Sequence, residues 1–140
     1  MLRITVIQVG KTKDAALQSL LDEYAKRLSS LFDVREVTVK DEAALWSKLE
    51  RGAYTIALEA HGKTFDSPGF ATLLHDLPVR GISHIQFLIG PAEGFTGYKT
   101  KPDLVLSLSA MTFSHQTIRI LLAEQLYRAA TIISGKPFAK

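Results

Sequence analysis

The stretch Ile85-Gln86-Phe87-Leu88-Ile89-Gly90-Pro91-Ala92-Glu93-Gly94 is a nearly unbroken apolar run that ends in a glycine-rich turn. A strand with one wet face alternates apolar and polar residues, whereas a continuous run belongs to a sheet covered on both faces, the habit of parallel sheets. Other segments fit that frame. Leu2 to Val9 is rich in β-branched residues, Val34 to Val39 alternates, Tyr54 to Ala60 reads as a strand entering a turn at His61-Gly62-Lys63, and Leu104 to Leu108 is a further strand. Between them lie helical patterns. Leu17, Leu20, Leu21, Tyr24 and Leu28 recur at three and four residues after Asp14, and Glu42 to Leu49 reads as a short helix. Ser67 is expected to cap a helix through Leu77, with Pro68 at its first position and Pro78 to Gly81 closing it. The longest helix is expected from Ser114 to Ser134, stopped by Gly135-Lys136-Pro137. Strands alternating with helices predict an α/β fold with a mostly parallel sheet flanked by helices.

The 140 residues, 46% hydrophobic and 22% charged, suit one globular domain spanning 1–140. Apolar runs such as Ile82 to Ile89 fall far short of the roughly 20 residues that cross a bilayer, and the N-terminus reads as a first strand rather than a signal peptide. Without cysteine there is no disulfide or thiolate, and His61, His75, His84 and His115 show no metal-ligand spacing, so a cytoplasmic protein without metal is expected. The net charge of +3 is unevenly placed: Arg119, Arg128, Lys136 and Lys140 face Glu124 alone after His115, and Arg3, Lys11 and Lys13 crowd the other terminus. If the fold brings the termini together, they form a face for a polyanion; otherwise they are solvated surface charges.

Phosphate-loop and dinucleotide fingerprints are missing. Three segments could carry chemistry instead. The first is Gly90 to Gly94, because loops after parallel strands bind ligands and glycine permits close backbone approach; an ordinary turn into a helix is the alternative. The second is Leu106-Ser107-Leu108-Ser109-Ala110-Met111-Thr112-Phe113-Ser114-His115, whose backbone could pair with an adenine edge beside Leu108, Met111 and Phe113. A capped helix start explains the same residues structurally. The third is the helical set His115, Arg119, Gln125, Tyr127 and Arg128, in which His115 and Arg119, four apart, share a face able to bind phosphate or orient a substrate.

In this order and spacing, these segments resemble the SPOUT, or α/β-knot, methyltransferases. Within them the chain is similar to the ribosomal RNA large subunit methyltransferase H family, most densely from Leu88 to Arg128. The resemblance implies methylation of N3 of a pseudouridine in a large-subunit (23S) rRNA hairpin of the ribosome, by a homodimer with a C-terminal trefoil knot. It implies S-adenosylmethionine bound between Leu58, Gly90 and the segment Leu108, Ser109, Ala110, Met111, Thr112 and Phe113. It also implies His115 and Arg119 at a shared active site, with His115 a candidate base and Arg119 orienting substrate. Separately from the resemblance, Arg128, Lys136 and Lys140 are expected to hold rRNA phosphates.

The chain departs from the family pattern twice. Pro91 stands where the family has the second glycine of Ile-Gly-Gly, which removes a backbone donor. The tail reads Lys136-Pro137-Phe138-Ala139-Lys140 where the family has His-Pro-Tyr-His and a basic residue. These departures support one rival, a knotted ribosome- or RNA-binding module with weak or silent catalysis; a second rival is an active methyltransferase acting on another RNA.

Overall fold

A computed structural model describes residues 1–137; Phe138, Ala139 and Lys140 lie outside the described residues. Strands β1 (Arg3–Val9), β2 (Asp33–Val39), β3 (Tyr54–Thr64), β4 (His84–Ile89) and β5 (Leu104–Ser107) form one parallel sheet in the order β2-β1-β4-β3-β5. Helices α1 (Ala15–Leu28), α2 (Glu42–Ser47), α3 (Ser67–Val79) and α4 (His115–Ser134) alternate with them, except that residues 90–103 link β4 to β5 through turns and bends. This is the expected α/β architecture, with the apolar β4 at its centre and every β4 residue buried.

Pleating sorts the core into two layers, because successive strand residues point to opposite faces. Ile4, Val6, Ile56, Leu58, Ile85, Phe87 and Leu106 pack with Leu28 of α1, Phe70 and Leu74 of α3, and Leu122 and Leu126 of α4. Ile7, Val9 and Leu88 turn the other way onto Leu45 and Trp46 of α2, with Phe95 of the β4–β5 link against them. Burying a side chain of this size stabilises the fold by about 1.5–3 kcal/mol, so the β4 side chains tie both layers to the sheet.

Two sequence expectations need correction. The strand expected to turn at His61-Gly62-Lys63 continues to Thr64. Leu106 of β5 lies opposite Leu58 and again opposite Lys63, so residues 59–62 bulge out of the ladder. Gly62 marks a close approach of two backbones rather than a turn: a Cβ there would sit 2.7 Å from the carbonyl carbon and oxygen of Val105. Glycine serves both purposes, and the sequence alone does not tell them apart.

The second correction concerns α3. Its cap is Asp66, whose carboxylate accepts the Gly69 N–H at 2.7 Å, while the Ser67 hydroxyl donates to Gln125 of α4 at 2.7 Å. Pro78 lies inside the last turn, where the donor it lacks costs a single late bond, and the helix closes within the expected Pro78 to Gly81 stretch, ending at Val79 with Arg80 as its cap. The expected α4 is found, with Ser114 capping the Thr117 N–H and Gly135 ending the helix at φ +72°. One stripe of α4, including Leu122, Ala123, Leu126, Ala129 and Ala130, is buried, while Ile132 and Ile133 are exposed.

Candidate active site

Parallel strands deliver their C-terminal ends to one edge of the sheet, where loops can converge on a ligand. A cavity of about 360 Å³ lies there. From β3 it takes Leu58, Glu59, Ala60 and His61; from the end of β4 and its link, Ile89 through Phe95; and from the β5–α4 segment, Leu108, Ser109, Met111, Thr112 and Phe113, with His115 and Ile118 of α4. Three segments distant in sequence thus meet because their strands are neighbours in the order β4-β3-β5.

The residues expected to bind a cofactor are therefore together, with one exception. Leu58, Gly90, Leu108, Ser109, Met111, Thr112 and Phe113 line the cavity, and Ala110 does not. The segment is shaped by its own hydroxyls: the Ser107 hydroxyl donates to the Ser109 carbonyl at 2.8 Å, and the Met111 N–H donates to the Ser109 hydroxyl at 3.1 Å. This leaves Met111 72% and Phe113 36% exposed, large apolar side chains at a cavity that also offers polar backbone. An apolar wall with a few polar groups suits a flat heterocycle carrying a polar tail. Gly90 is packed so closely that a Cβ would meet the Phe95 ring at 3.0 Å.

His115 lines the cavity as expected, and its Nε2 lies 3.2 Å from the Lys11 carbonyl. A carbonyl only accepts, so the neutral imidazole carries its proton on Nε2 and keeps Nδ1 as an acceptor. Beside it the Lys13 N–H donates to Gln116 at 2.9 Å, which fixes the loop after β1 against the start of α4.

Arg119 is placed elsewhere. It is 4% exposed, is bonded to Glu36 of β2, and borders a separate cavity of about 60 Å³ with Leu21, Tyr24 and Ala123. The face expected to be shared with His115 does not form, because four residues also advance about 6 Å along a helix. His115 in the first turn meets the loops, and Arg119 one turn deeper meets α1 and β2. Burial pushes the Arg119 pKa down, and Glu36 opposes that shift. Its Nε and Nη1 have no hydrogen-bond partner among the described residues.

Of the expected phosphate contacts, Lys136 is exposed just beyond the end of α4, and Arg128 lies in its last turns, close enough to Tyr24 to influence its ionisation. Lys140 lies outside the described residues. Sequence reasoning passed over Glu59, His61 and Glu93, which also line the cavity. The available signal was their position beside Leu58 and Gly90. Burial and the bond to Glu59 push the Tyr98 phenol pKa upward. Burial opposes ionisation of Glu42, but hydrogen bonds from Thr96 and Trp46 outweigh it and hold that carboxyl below its ordinary range.

A family model described as "Predicted SPOUT methyltransferase" matches residues 2–138. The chain belongs to the SPOUT methyltransferase family. Proteins named ribosomal RNA large subunit methyltransferase H are similar along their whole length. The Prochlorococcus marinus protein is 39% identical, covering 97% of this chain and 94% of its own, and the Oenococcus oeni protein is 33% identical over 100% of both. A Methanococcus maripaludis protein named as a putative member is 35% identical over 99% of this chain. No helix among the described residues of this SPOUT chain is long and apolar enough to cross a membrane.

Proposed function

We propose that this protein is an S-adenosylmethionine-dependent methyltransferase of large-subunit rRNA, with N3 of a pseudouridine in a hairpin of the ribosome as acceptor. The observation that carries the reading is the convergence of Leu58, Gly90 and the Leu108–Phe113 segment on one cavity. The residues present fit the cofactor: Leu58, Ile89, Leu108 and Phe113 can flank an adenine, the backbone of 108–113 can pair with its edge, and Glu59 and Glu93 add negative charge suited to a sulfonium and an ammonium. When bound, the cofactor supplies an electrophilic methyl whose leaving group is a neutral thioether, so departure needs no acid. The protein's part is positioning.

His115, with Nδ1 as acceptor, is suited to take the proton from the acceptor nitrogen, and nearby cations could stabilise the deprotonated base equally well. Arg119 is proposed to act on substrate only indirectly, by fixing α4 against β2. Arg128, Lys136 and Lys140 are proposed phosphate contacts. The same reading includes a trefoil knot after Leu108 and a cytoplasmic homodimer. The exposed Met111, Phe113, Ile132 and Ile133 supply apolar surface for the dimer.

Calorimetry should show binding of S-adenosylmethionine and S-adenosylhomocysteine but not of NAD or ATP. Mass spectrometry of rRNA from cells with and without the protein then identifies the nucleotide. A folded chain that binds neither adenosyl ligand would refute the enzyme and leave the RNA-binding module, the reading that Pro91 favours.

A further inference from the structure

We propose that Tyr98 and Glu59 form a clasp that holds residues 90–95 in the geometry S-adenosylmethionine requires, making Tyr98, which does not line the cavity, a positioning residue for the cofactor. The inference rests on the methyltransferase reading above.

The link from β4 to β5 has no helix or strand of its own to stiffen it, yet its first six residues form a wall of the cavity. A wall that must be ordered at each binding event weakens binding, so stiffness has to come from outside the link. Glu59, at the start of the β3 bulge, supplies it. Its side chain is 12% exposed, accepts the Tyr98 hydroxyl and the Phe95 N–H at 3.4 Å, and lies 3.1 Å from His61 Nε2. A largely buried carboxylate with several donors is a costly group to disturb, because losing one donor leaves the charge poorly solvated.

The clasp reaches the cavity through Phe95. The ring of Phe95 lies against Gly90 and packs tilted at 5.6 Å from Trp46 and edge-to-face at 5.8 Å from Tyr98. Thr96 is tied separately to Glu42 by its N–H and its hydroxyl, both at 3.0 Å. Tyr98 therefore restrains Glu59, Glu59 and the two neighbouring rings restrain Phe95, and Phe95 sets the position of Gly90. Pro91 contributes no N–H to a ligand, which makes the shape of this wall matter more than its donors.

Tyr98→Phe keeps the ring against Trp46 and Phe95 and removes only the donor. Affinity for S-adenosylmethionine, measured by calorimetry, is expected to fall about tenfold, the equivalent of about 1.4 kcal/mol, while the thermal midpoint of the ligand-free protein, in which Glu59 keeps the Phe95 N–H and His61, falls by only about 2–4 °C. Glu59→Ala should weaken binding at least as much, and the double variant no more than Glu59→Ala alone, since both act through one contact. Hydrogen exchange without ligand should show the amides of Gly94, Phe95 and Thr96 losing protection in Tyr98→Phe. Unchanged affinity in Tyr98→Phe, or additive losses in the double variant, would overturn the inference. Absence of binding to the wild-type chain would refute the methyltransferase reading and this cofactor role with it. The exchange measurement, made without ligand, decides the clasp independently, and unchanged protection refutes it.

Discussion

The guanidinium of Arg119 is buried against the carboxylate of Glu36, joining α4 to β2 at a point outside the cavity that His115 lines. A buried cation is tolerated while its partner is present and is costly once the partner is lost. Glu36→Ala should therefore destabilise the protein by about 3 kcal/mol although Glu36 itself is 43% exposed. Arg119→Met, which removes the charge together with the two nitrogens that have no partner among the described residues, should cost much less. Urea denaturation of the two variants gives the comparison, and equal losses would show that the ion pair, rather than the stranded charge, sets the cost.

Gly62 and Gly90 should fail in different ways when changed to alanine. At Gly62 the new methyl meets the Val105 main chain at 2.7 Å, and backbone cannot rotate away. Gly62→Ala should lower stability by about 2 kcal/mol, within the range for overpacking, with a corresponding drop in thermal midpoint. At Gly90 the methyl meets the Phe95 ring at 3.0 Å, which can shift. Gly90→Ala should fold almost as stably yet bind S-adenosylmethionine weakly by calorimetry, because the ring that moves buttresses the cavity wall.

The contrast between these glycines shows where sequence reading succeeds and where it stops. Periodicity is a local property, so the central strand Ile85 to Ile89, the α1 pattern from Asp14 and the two ends of α4 could all be read directly. The cavity was legible as far as its segments were, because loops at strand ends converge in any parallel sheet. Gly62 was misread because a turn and a close backbone contact demand the same residue. Arg119 was misplaced because helical spacing fixes the direction a residue faces but not which neighbour stands there. Glu59 and Tyr98 lie 39 positions apart, and no local pattern joins them.

His84 gives the fold a pH dependence. It is buried, its Nε2 lies 2.8 Å from the Thr5 hydroxyl, and its Nδ1 lies 3.1 Å from Glu50 and 3.3 Å from Arg3. Burial, then the Arg3 charge, pushes its pKa below 6.5, with Glu50 opposing. The unfolded chain thus takes up this proton at a higher pH than the folded chain. The contribution of His84 to stability is complete above the unfolded value and is lost as pH falls from there through the lowered folded value. Urea midpoints measured between about pH 7 and pH 5 should decline in the wild type and decline less in His84→Gln. Parallel declines would remove His84 as the cause.

The last prediction concerns the charges at the two ends of the chain. Lys11 and Lys13 flank the start of α4, where the Lys11 carbonyl meets His115 and the Lys13 N–H meets Gln116. Lys136 follows the last turn of the same 20-residue helix, about 30 Å away. Within one protomer these cations are two patches, not one face, so an rRNA hairpin seated at the cavity reaches Lys13 of that protomer but not its Lys136. In the proposed homodimer, Lys136 can serve the hairpin at the partner's cavity. Lys13→Ala and Lys136→Ala should then each weaken ribosome binding and flatten the slope of log affinity against log salt by about 0.7 to 0.9, the effect of one lost phosphate contact. Neither should alter affinity for S-adenosylmethionine. Lys136→Ala is the informative variant. If it leaves the salt slope and the methylation rate unchanged while Lys13→Ala lowers both, the RNA contacts only the end of α4 nearest the cavity, and the far end has no part in substrate binding.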